Sequence, residues 1–202
     1  MKICMYGGTF DPPHIGHVHA CKSFLEKFTV DKFYIVPTYI PPHKTRNSNV
    51  SASERMNMAR IAFSDIADNI EISDIELKRQ GKSYTADTLE QFKQMGCDEI
   101  YLLCGTDMFV TLDQWYNSEY IFKAAIIVCM RRENDAKMSE LINRKSELYT
   151  NKYDAKIKFI NKAAIDISST DIRQSVSNLK TLLPEAVYTY IKNNNLYEIE
   201  NL

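Results

Sequence analysis

Short apolar runs alternate with longer segments of helical spacing along this chain of 202 residues. The predicted strands are Ile3–Tyr6, Lys32–Pro37, Ile70–Ile75, Glu99–Cys104, Ala124–Met130 and Lys156–Ile160. Between them, apolar residues recur three and four positions apart, which is typical of amphipathic helices. The predicted helices are His17–Phe28, Ser51–Phe63, Thr85–Met95 and Asp135–Tyr149. Strand–helix alternation of this kind predicts an α/β fold, a Rossmann-like doubly wound parallel sheet with helices on both faces.

The C-terminal segment Ser168–Tyr197 predicts two helices, one starting at the Ser-Ser-Thr cluster and one at Pro184, a residue type favoured at the first helical position. We therefore expect a single domain over residues 1–202, with a Rossmann-like core at 1–165 and a small C-terminal helical appendage at 166–202. Ser51-Ala-Ser-Glu54 matches a capping box. The segment Thr38–Val50, rich in Pro, Asn and Ser, is a long irregular stretch of the kind that usually carries function.

Composition removes several classes of function. With 45% apolar residues, 25% charged residues and a net charge of -1, the chain lacks the basic character that nucleic-acid partners select. No apolar stretch reaches the roughly 20 residues of a membrane span, so no membrane partner is expected. The five cysteines form no C-x-x-C pair, which favours buried thiols in a reducing cytoplasm. The sequence leaves the oligomeric state open, a homo-oligomer included.

The segment Gly7–His17 follows the first predicted strand directly. Glycines allow a sharp turn and a close approach to a ligand, and His14 and His17, three positions apart, share one face at the start of a helix. The helix N-terminus adds N–H groups and the positive end of the dipole. This pattern predicts a phosphate cradle at the carboxyl end of a strand, and it matches neither a Walker A loop nor a G-x-G-x-x-G fingerprint. Its candidate phosphate-binding residues are Gly7, Gly8, Thr9 and Phe10.

Two other interpretations of this segment stay open. It could be a Gly/Pro turn with incidental histidines. It could also hold a metal ion through Asp11, His14, His17 and His19, although a Zn²⁺ site usually needs more than a short loop offers.

A second candidate phosphate site lies near the other end of the chain. Ser168, Ser169 and Thr170 are good N-cap residues whose hydroxyls can also hold a phosphate. Arg173, one turn further on, can donate two hydrogen bonds to phosphate oxygens. Taken alone, the same pattern also fits a capped helix with a surface arginine.

Together the two motifs resemble a known superfamily. Gly8–His17 is similar to the H-x-G-H motif of the nucleotidyltransferases, and Ser168–Arg173 is similar to their Ser-Ser-Thr-x-Ile-Arg motif. The resemblance implies a Rossmann-like fold and transfer of a nucleotidyl group from a nucleoside triphosphate. It also implies catalytic roles for His14, His17 and Arg173.

Four further segments resemble one branch, the bacterial nicotinate-nucleotide adenylyltransferases: Ile40–Lys44, Gly81–Thr88, Cys104–Phe109 with the following Trp115-Tyr116, and the tail Pro184–Tyr197. The resemblance covers essentially the whole chain. It implies transfer of AMP from ATP to nicotinate mononucleotide, giving nicotinate adenine dinucleotide and pyrophosphate in NAD biosynthesis. The implied substrates are ATP and nicotinate mononucleotide, with Mg²⁺ bound to ATP.

The resemblance places Thr85 and Trp115 at the nicotinate end of the site. A flat indole can stack on a pyridine ring, and Trp115 is the single Trp of the chain; anchoring of a loop is the alternative role. Tyr84 and Thr85 are expected at a helix N-terminus, whose N–H groups suit a carboxylate. The Gly105-x-Asp107 turn contacts the nucleotide in this family, a role compatible with Asp107 also capping a helix.

Three basic residues complete the predicted nicotinate mononucleotide site. Lys44 and Arg46, on the Thr38–Val50 segment, could close over phosphates. Arg131 matches a basic residue of the family, but Arg131-Arg132-Glu133 departs from the usual Arg-Pro-Gly, so the division of roles between Arg131 and Arg132 stays open. Three rival functions also stay open: the same chemistry with nicotinamide mononucleotide or phosphopantetheine as acceptor, a nucleotide-binding sensor, and a zinc protein.

Overall fold

The computed structural model describes residues 1–42, 49–131, 136–162, 165, 167–174 and 179–198. Six parallel strands form one sheet in the order β3-β2-β1-β4-β5-β6. They are β1 (Lys2–Gly8), β2 (Lys32–Pro37), β3 (Ile70–Ile72), β4 (Glu99–Gly105), β5 (Ile126–Met130) and β6 (Ile157–Ile160). This is the strand order of a doubly wound Rossmann sheet, so the predicted fold class is confirmed.

The helices connect successive strands and then form the C-terminal part. They are α1 (Ile15–Lys27), α2 (Ala52–Phe63), α3 (Ile75–Arg79), α4 (Thr85–Gln94), α5 (Thr106–Phe109), α6 (Ser118–Ala124), α7 (Ala136–Tyr153), α8 (Ser169–Gln174), α9 (Leu179–Leu182) and α10 (Glu185–Asn193). Two short 3₁₀ turns, Leu112–Gln114 and Leu196–Glu198, complete the described elements.

Both faces of the sheet are buried, as expected for parallel strands covered by helices. On one face, Cys4 and Phe33 pack against Phe24 of α1 and Ala59 of α2. The opposite face has its own apolar cluster, which includes Ile3, Met5, Leu89, Ile127 and Tyr149. The C-terminal helices join the first face through Ile172, Val187 and Ile191, so they extend that core.

Several predicted boundaries differ from the observed ones for local reasons. The predicted strand Ile70–Ile75 ends at Ile72, because the Ile75 N–H donates to Ser73 Oγ (3.4 Å) where α3 begins. Helix α1 begins at Ile15, two residues before the predicted start, because His14 is its N-cap. The predicted capping box at α2 is confirmed: the Glu54 N–H donates to Ser51 Oγ (3.2 Å) and the Ser51 N–H to Glu54 Oε2 (2.6 Å).

Two further observations bear on the composition-based predictions. Every cysteine of the chain lies in the described part, buried and outside any disulfide. Within the described ranges, no helix has the length and apolar character that a membrane crossing requires.

Candidate active site

The sheet places a cavity at its topological switch point. Strands β1 and β4 are neighbours, and the chain leaves them toward opposite faces of the sheet, which opens a crevice beyond their carboxyl ends. A cavity of about 580 Å³ lies in this region. Its described walls include Gly7, Gly8 and Thr9 at and just after the end of β1, Cys104 and Asp107 at β4 and α5, Tyr84 and Thr85 at the start of α4, and Trp115.

The loop after β1 is shaped by a close contact at Gly8. A Cβ atom at Gly8 would lie 3.0 Å from the Phe10 ring, so no larger residue fits without displacing that ring. Phe10 itself has a left-handed φ of 49° and is 1% exposed. Its ring packs edge-on against His17, with centroids 5.0 Å apart. The side chain of Phe10 therefore supports His17 from within the core, and phosphate binding at this residue stays a prediction.

His14 and His17 lie together at the start of α1, as their spacing predicts. Their ring centroids are 3.7 Å apart. The backbone N–H of His14 donates to His17 Nδ1 (3.1 Å), so neutral His17 carries its proton on Nε2. His17 can thus present an N–H donor to an anion beside the first-turn amides of α1.

The His14 imidazole is held in a buried, tight environment. Burial lowers its pKa to about 4, although Asp171 acts in the opposite direction. A Cβ atom at Gly16 would lie 3.0 Å from His14 Nδ1, which explains the glycine of the H-x-G-H motif. At neutral pH, His14 is therefore an uncharged hydrogen-bonding group in the free protein.

The low pKa of His14 makes stability depend on pH. Between the ordinary pKa of 6.5 and the folded value of about 4, only the unfolded chain takes up this proton. Acidification through this window therefore favours unfolding. We expect the uptake of this proton by the unfolded chain to lower the free energy of unfolding by about 2 kcal/mol between pH 7 and pH 5. Urea denaturation of wild type and His14→Gln at both pH values measures this; equal losses in the two proteins would contradict it.

The second motif meets the first directly. Ser169 Oγ donates to the Pro12 carbonyl (2.9 Å), and Arg173 Nη1 donates to the Asp11 carbonyl (2.5 Å). Arg173 Nη2 also donates to Thr170 Oγ1 (3.3 Å). The Asp171 N–H donates to Ser168 Oγ (3.1 Å), so Ser168 caps α8. Residues 157 and 162 positions apart in sequence therefore form one assembly around the loop before α1.

The predicted nicotinate end forms another wall of the cavity. Tyr84 is the N-cap of α4 and Thr85 its first residue, which confirms the expected helix N-terminus. Trp115 lines the cavity on the turn after Leu112–Gln114. The rings of Tyr84 and Tyr116 are 4.5 Å apart, which gives this end a largely aromatic surface. Asp107 lies in the first turn of α5, whose N-cap is Gly105.

Two polar networks that the sequence did not indicate support this wall. Buried Glu76 accepts a hydrogen bond from Thr88 Oγ1 (2.7 Å), and burial raises the pKa of its carboxyl group. This network fixes α3 against the start of α4. Asp113, two residues before Trp115, accepts bonds from Lys145 Nζ (2.8 Å) and Tyr149 OH (3.0 Å). Neither network follows a periodic or motif signal, because its partners come from separate helices.

Some predicted site residues lie elsewhere. Arg131 is not among the described residues that line the cavity. Its guanidinium group stacks over the Phe159 ring, 4.5 Å from the centroid, and donates a hydrogen bond to Asn143 Oδ1. The structure thus brings Arg131 to α7 and β6 instead of the predicted nicotinate mononucleotide site. Lys44, Arg46 and Arg132 lie outside the described residues. His14, His17 and Arg173 lie on or against the loop that continues the Gly7–Thr9 wall, outside the cavity lining itself.

The geometry of the described residues also bears on the zinc alternative. In the part of the chain that the structure describes, no group of three or more His, Cys, Asp and Glu side chains could hold a metal ion. Asp11, one of the proposed ligands, instead accepts from Tyr197 OH (2.8 Å).

Comparisons with known proteins agree with this geometry. The cytidylyltransferase-like family model matches residues 5–175. A probable nicotinate-nucleotide adenylyltransferase of Clostridium tetani (strain Massachusetts / E88) is 33% identical over 200 residues, covering 97% of this chain and 98% of that protein. A protein of the same name from Listeria monocytogenes serotype 4a (strain HCC23) is 35% identical over 197 residues, 97% of each chain.

A solved structure of Plasmodium falciparum nicotinic acid mononucleotide adenylyltransferase complexed with NaAD superposes with a TM-score of 0.75 at 19% identity, covering 98% of both chains. The same protein complexed with APC gives a TM-score of 0.76 over the same coverage. At this level of identity, the superposition establishes likeness of fold.

Proposed function

Because the chain belongs to the nicotinate-nucleotide adenylyltransferases of the cytidylyltransferase-like family, we propose that the cavity and the adjoining start of α1, with His14 and His17, transfer AMP from ATP to nicotinate mononucleotide. The products are nicotinate adenine dinucleotide and pyrophosphate. The observation that carries this assignment is the arrangement of the cavity: one wall is the start of the phosphate loop, and another is the Tyr84–Trp115 end.

The reaction needs no covalent enzyme intermediate, because the 5′-phosphate of the acceptor is already an anionic nucleophile. One of its oxygens forms a bond to the α-phosphorus of ATP, while the bond from that phosphorus to the bridging β-oxygen breaks and pyrophosphate leaves. Positioning and charge stabilisation then supply the rate acceleration. His17 donates through Nε2–H, and Arg173 and the N-terminus of α1 contribute positive potential to the phosphates.

At the acceptor end, the pyridine ring stacks on Trp115. Its carboxylate accepts hydrogen bonds from backbone amides at the start of α4, where Tyr84 and Thr85 lie. Nicotinamide carries no such negative charge, so this helix end favours the acid. Glu76, which also lines the cavity, accepts a hydrogen bond from Thr88 of α4 (2.7 Å) and so helps to fix this end of the helix.

ATP enters this proposal as its Mg²⁺ complex, since Mg²⁺ commonly binds through substrate phosphates and waters. Asp107, on the cavity wall, is placed to accept hydrogen bonds from ribose hydroxyls of a nucleotide. The proposal places the protein in the cytoplasm, which the five buried, unpaired thiols support.

Product identification tests the reaction. The purified protein is incubated with nicotinate mononucleotide, Mg²⁺ and either ATP or CTP, and the products are separated and weighed by mass spectrometry. We expect equal amounts of nicotinate adenine dinucleotide and pyrophosphate from ATP, and little product from CTP. Formation of the cytidine dinucleotide in preference, or of ADP without a dinucleotide, would contradict the proposal.

A further inference from the structure

The C-terminal tail returns to the N-terminal loop through Tyr197. This residue lies in the 3₁₀ turn Leu196–Glu198, and its ring packs against the core cluster on the α1–α2 face. Its φ of 67° is left-handed, a conformation that a tyrosine adopts only where its surroundings hold it. The adjoining Leu196 is 7% exposed, which anchors the turn in the core.

The hydroxyl group of Tyr197 ends at the buried carboxylate of Asp11. Tyr197 OH donates to Asp11 Oδ1 (2.8 Å), across 186 positions of sequence. Asp11 Oδ2 lies 3.9 Å from Arg173 Nη1, and the same nitrogen donates to the Asp11 carbonyl. Asp11 is therefore held by the tail from one side and by the second phosphate motif from another.

The chemistry of this contact favours a fixed geometry. Burial and the neighbouring carboxylate raise the pKa of Tyr197 well above its ordinary range, so the hydroxyl stays protonated and donates. A hydrogen bond to a charged acceptor in a buried place is stronger than one between neutral groups. After Asp11, the chain passes through Pro12 and Pro13, whose φ angles are fixed, and reaches His14 at the start of α1. The position of Asp11 is therefore transmitted to the histidine pair.

We propose that Tyr197 is a positioning residue for adenylyl transfer, which acts by holding Asp11 and, through it, the loop that leads into His14 and His17 at the start of α1. Tyr197 touches no substrate in this account. The proposal rests on the reaction proposed above, but its effect on ATP binding can be measured without an acceptor.

A matched pair of hydroxyl deletions tests this role. Tyr197→Phe removes the bond to Asp11, whereas Tyr190→Phe removes a hydroxyl of the same C-terminal part that accepts an exposed hydrogen bond from Asn57 Nδ2 (3.3 Å). We expect Tyr197→Phe to lower kcat about tenfold, because small misplacements of catalytic groups have effects of this order. We also expect it to weaken Mg·ATP binding about fivefold by calorimetry. Its KM for nicotinate mononucleotide and all constants of Tyr190→Phe should stay within twofold of wild type.

The coupling between Tyr197 and Asp11 is the sharper measurement. If the hydroxyl acts through this carboxylate, Tyr197→Phe added to Asp11→Ala, which removes the acceptor of the bond, should cost little beyond Asp11→Ala alone. Additive losses in the double variant would overturn the proposal. A Tyr197→Phe protein that melts at a lower temperature but keeps wild-type kcat and ATP affinity would also overturn it, because the hydroxyl would then serve stability alone. Equal losses in Tyr197→Phe and Tyr190→Phe would also overturn it. A wild type that binds ATP without adenylating the acceptor would instead overturn the proposed reaction, and the ATP affinities of the variants would still decide the role of Tyr197.

Discussion

Replacing His17 by Ala should lower kcat about 100- to 1000-fold, the usual cost of removing one preorganised donor to developing charge. His17 Nδ1 accepts the His14 N–H (3.1 Å), so the proton of neutral His17 is on Nε2, the donor that the proposed reaction uses toward the phosphates. The proposed chemistry has no acid–base step, and His17 acts there on charge that develops in the transition state. The loss should therefore appear in kcat, with a smaller change in KM for either substrate.

Steady-state pyrophosphate release with both substrates saturating measures this effect. His19→Ala is the control, since His19 lies two residues after His17 in α1 and therefore faces a different side of the helix. Far-ultraviolet circular dichroism checks that each variant is folded. Turnover of His17→Ala near that of His19→Ala would remove His17 from the mechanism.

The second large effect is expected at Arg173. Arg173→Ala removes a positive charge beside the phosphate loop and the bond to the Asp11 carbonyl (2.5 Å). We expect kcat/KM for ATP to fall about 100-fold, because charged, forked hydrogen bonds to phosphate are among the strongest. Arg173→Lys should recover only part of the loss, since an ammonium group keeps the charge without the planar fork.

Arg131→Ala is the matched control for Arg173. The Arg131 guanidinium stacks on Phe159 and bonds Asn143, so its removal should lower kcat/KM for ATP by less than about fivefold. An equal loss in the two alanine variants would mean that Arg131 reaches the substrates, as the family resemblance implies.

The fold was largely accessible from the sequence because its signals are local. Each of the six strands coincides with a predicted apolar run, and the capping box placed the start of α2 at the residue after Ser51. The short helices α3, α5 and α6 were not predicted, because four to seven residues carry too little periodicity to be recognised. The helix N-terminus that the sequence predicted at Tyr84 and Thr85 is confirmed.

The candidate site was accessible only where its residues belong to motifs. His14 and His17 were predicted to lie together from their spacing alone, and their ring centroids are 3.7 Å apart. Asp11 and Tyr197 are different, because their contact depends on tertiary packing between the two ends of the chain. The packing of the Phe10 ring beside His17, from a backbone in the left-handed region, likewise depends on tertiary structure, and phosphate binding at Phe10 stays a prediction.

The most direct test of the central assignment compares two acceptors in one assay. Pyrophosphate release from Mg·ATP is followed with nicotinate mononucleotide and nicotinamide mononucleotide side by side, over a range of concentrations of each. We predict that kcat/KM for the acid exceeds that for the amide at least about 100-fold, because amides at a helix N-terminus favour a carboxylate. Equal or reversed preference would contradict carboxylate recognition at Tyr84–Thr85, and release with neither acceptor would contradict the assigned reaction.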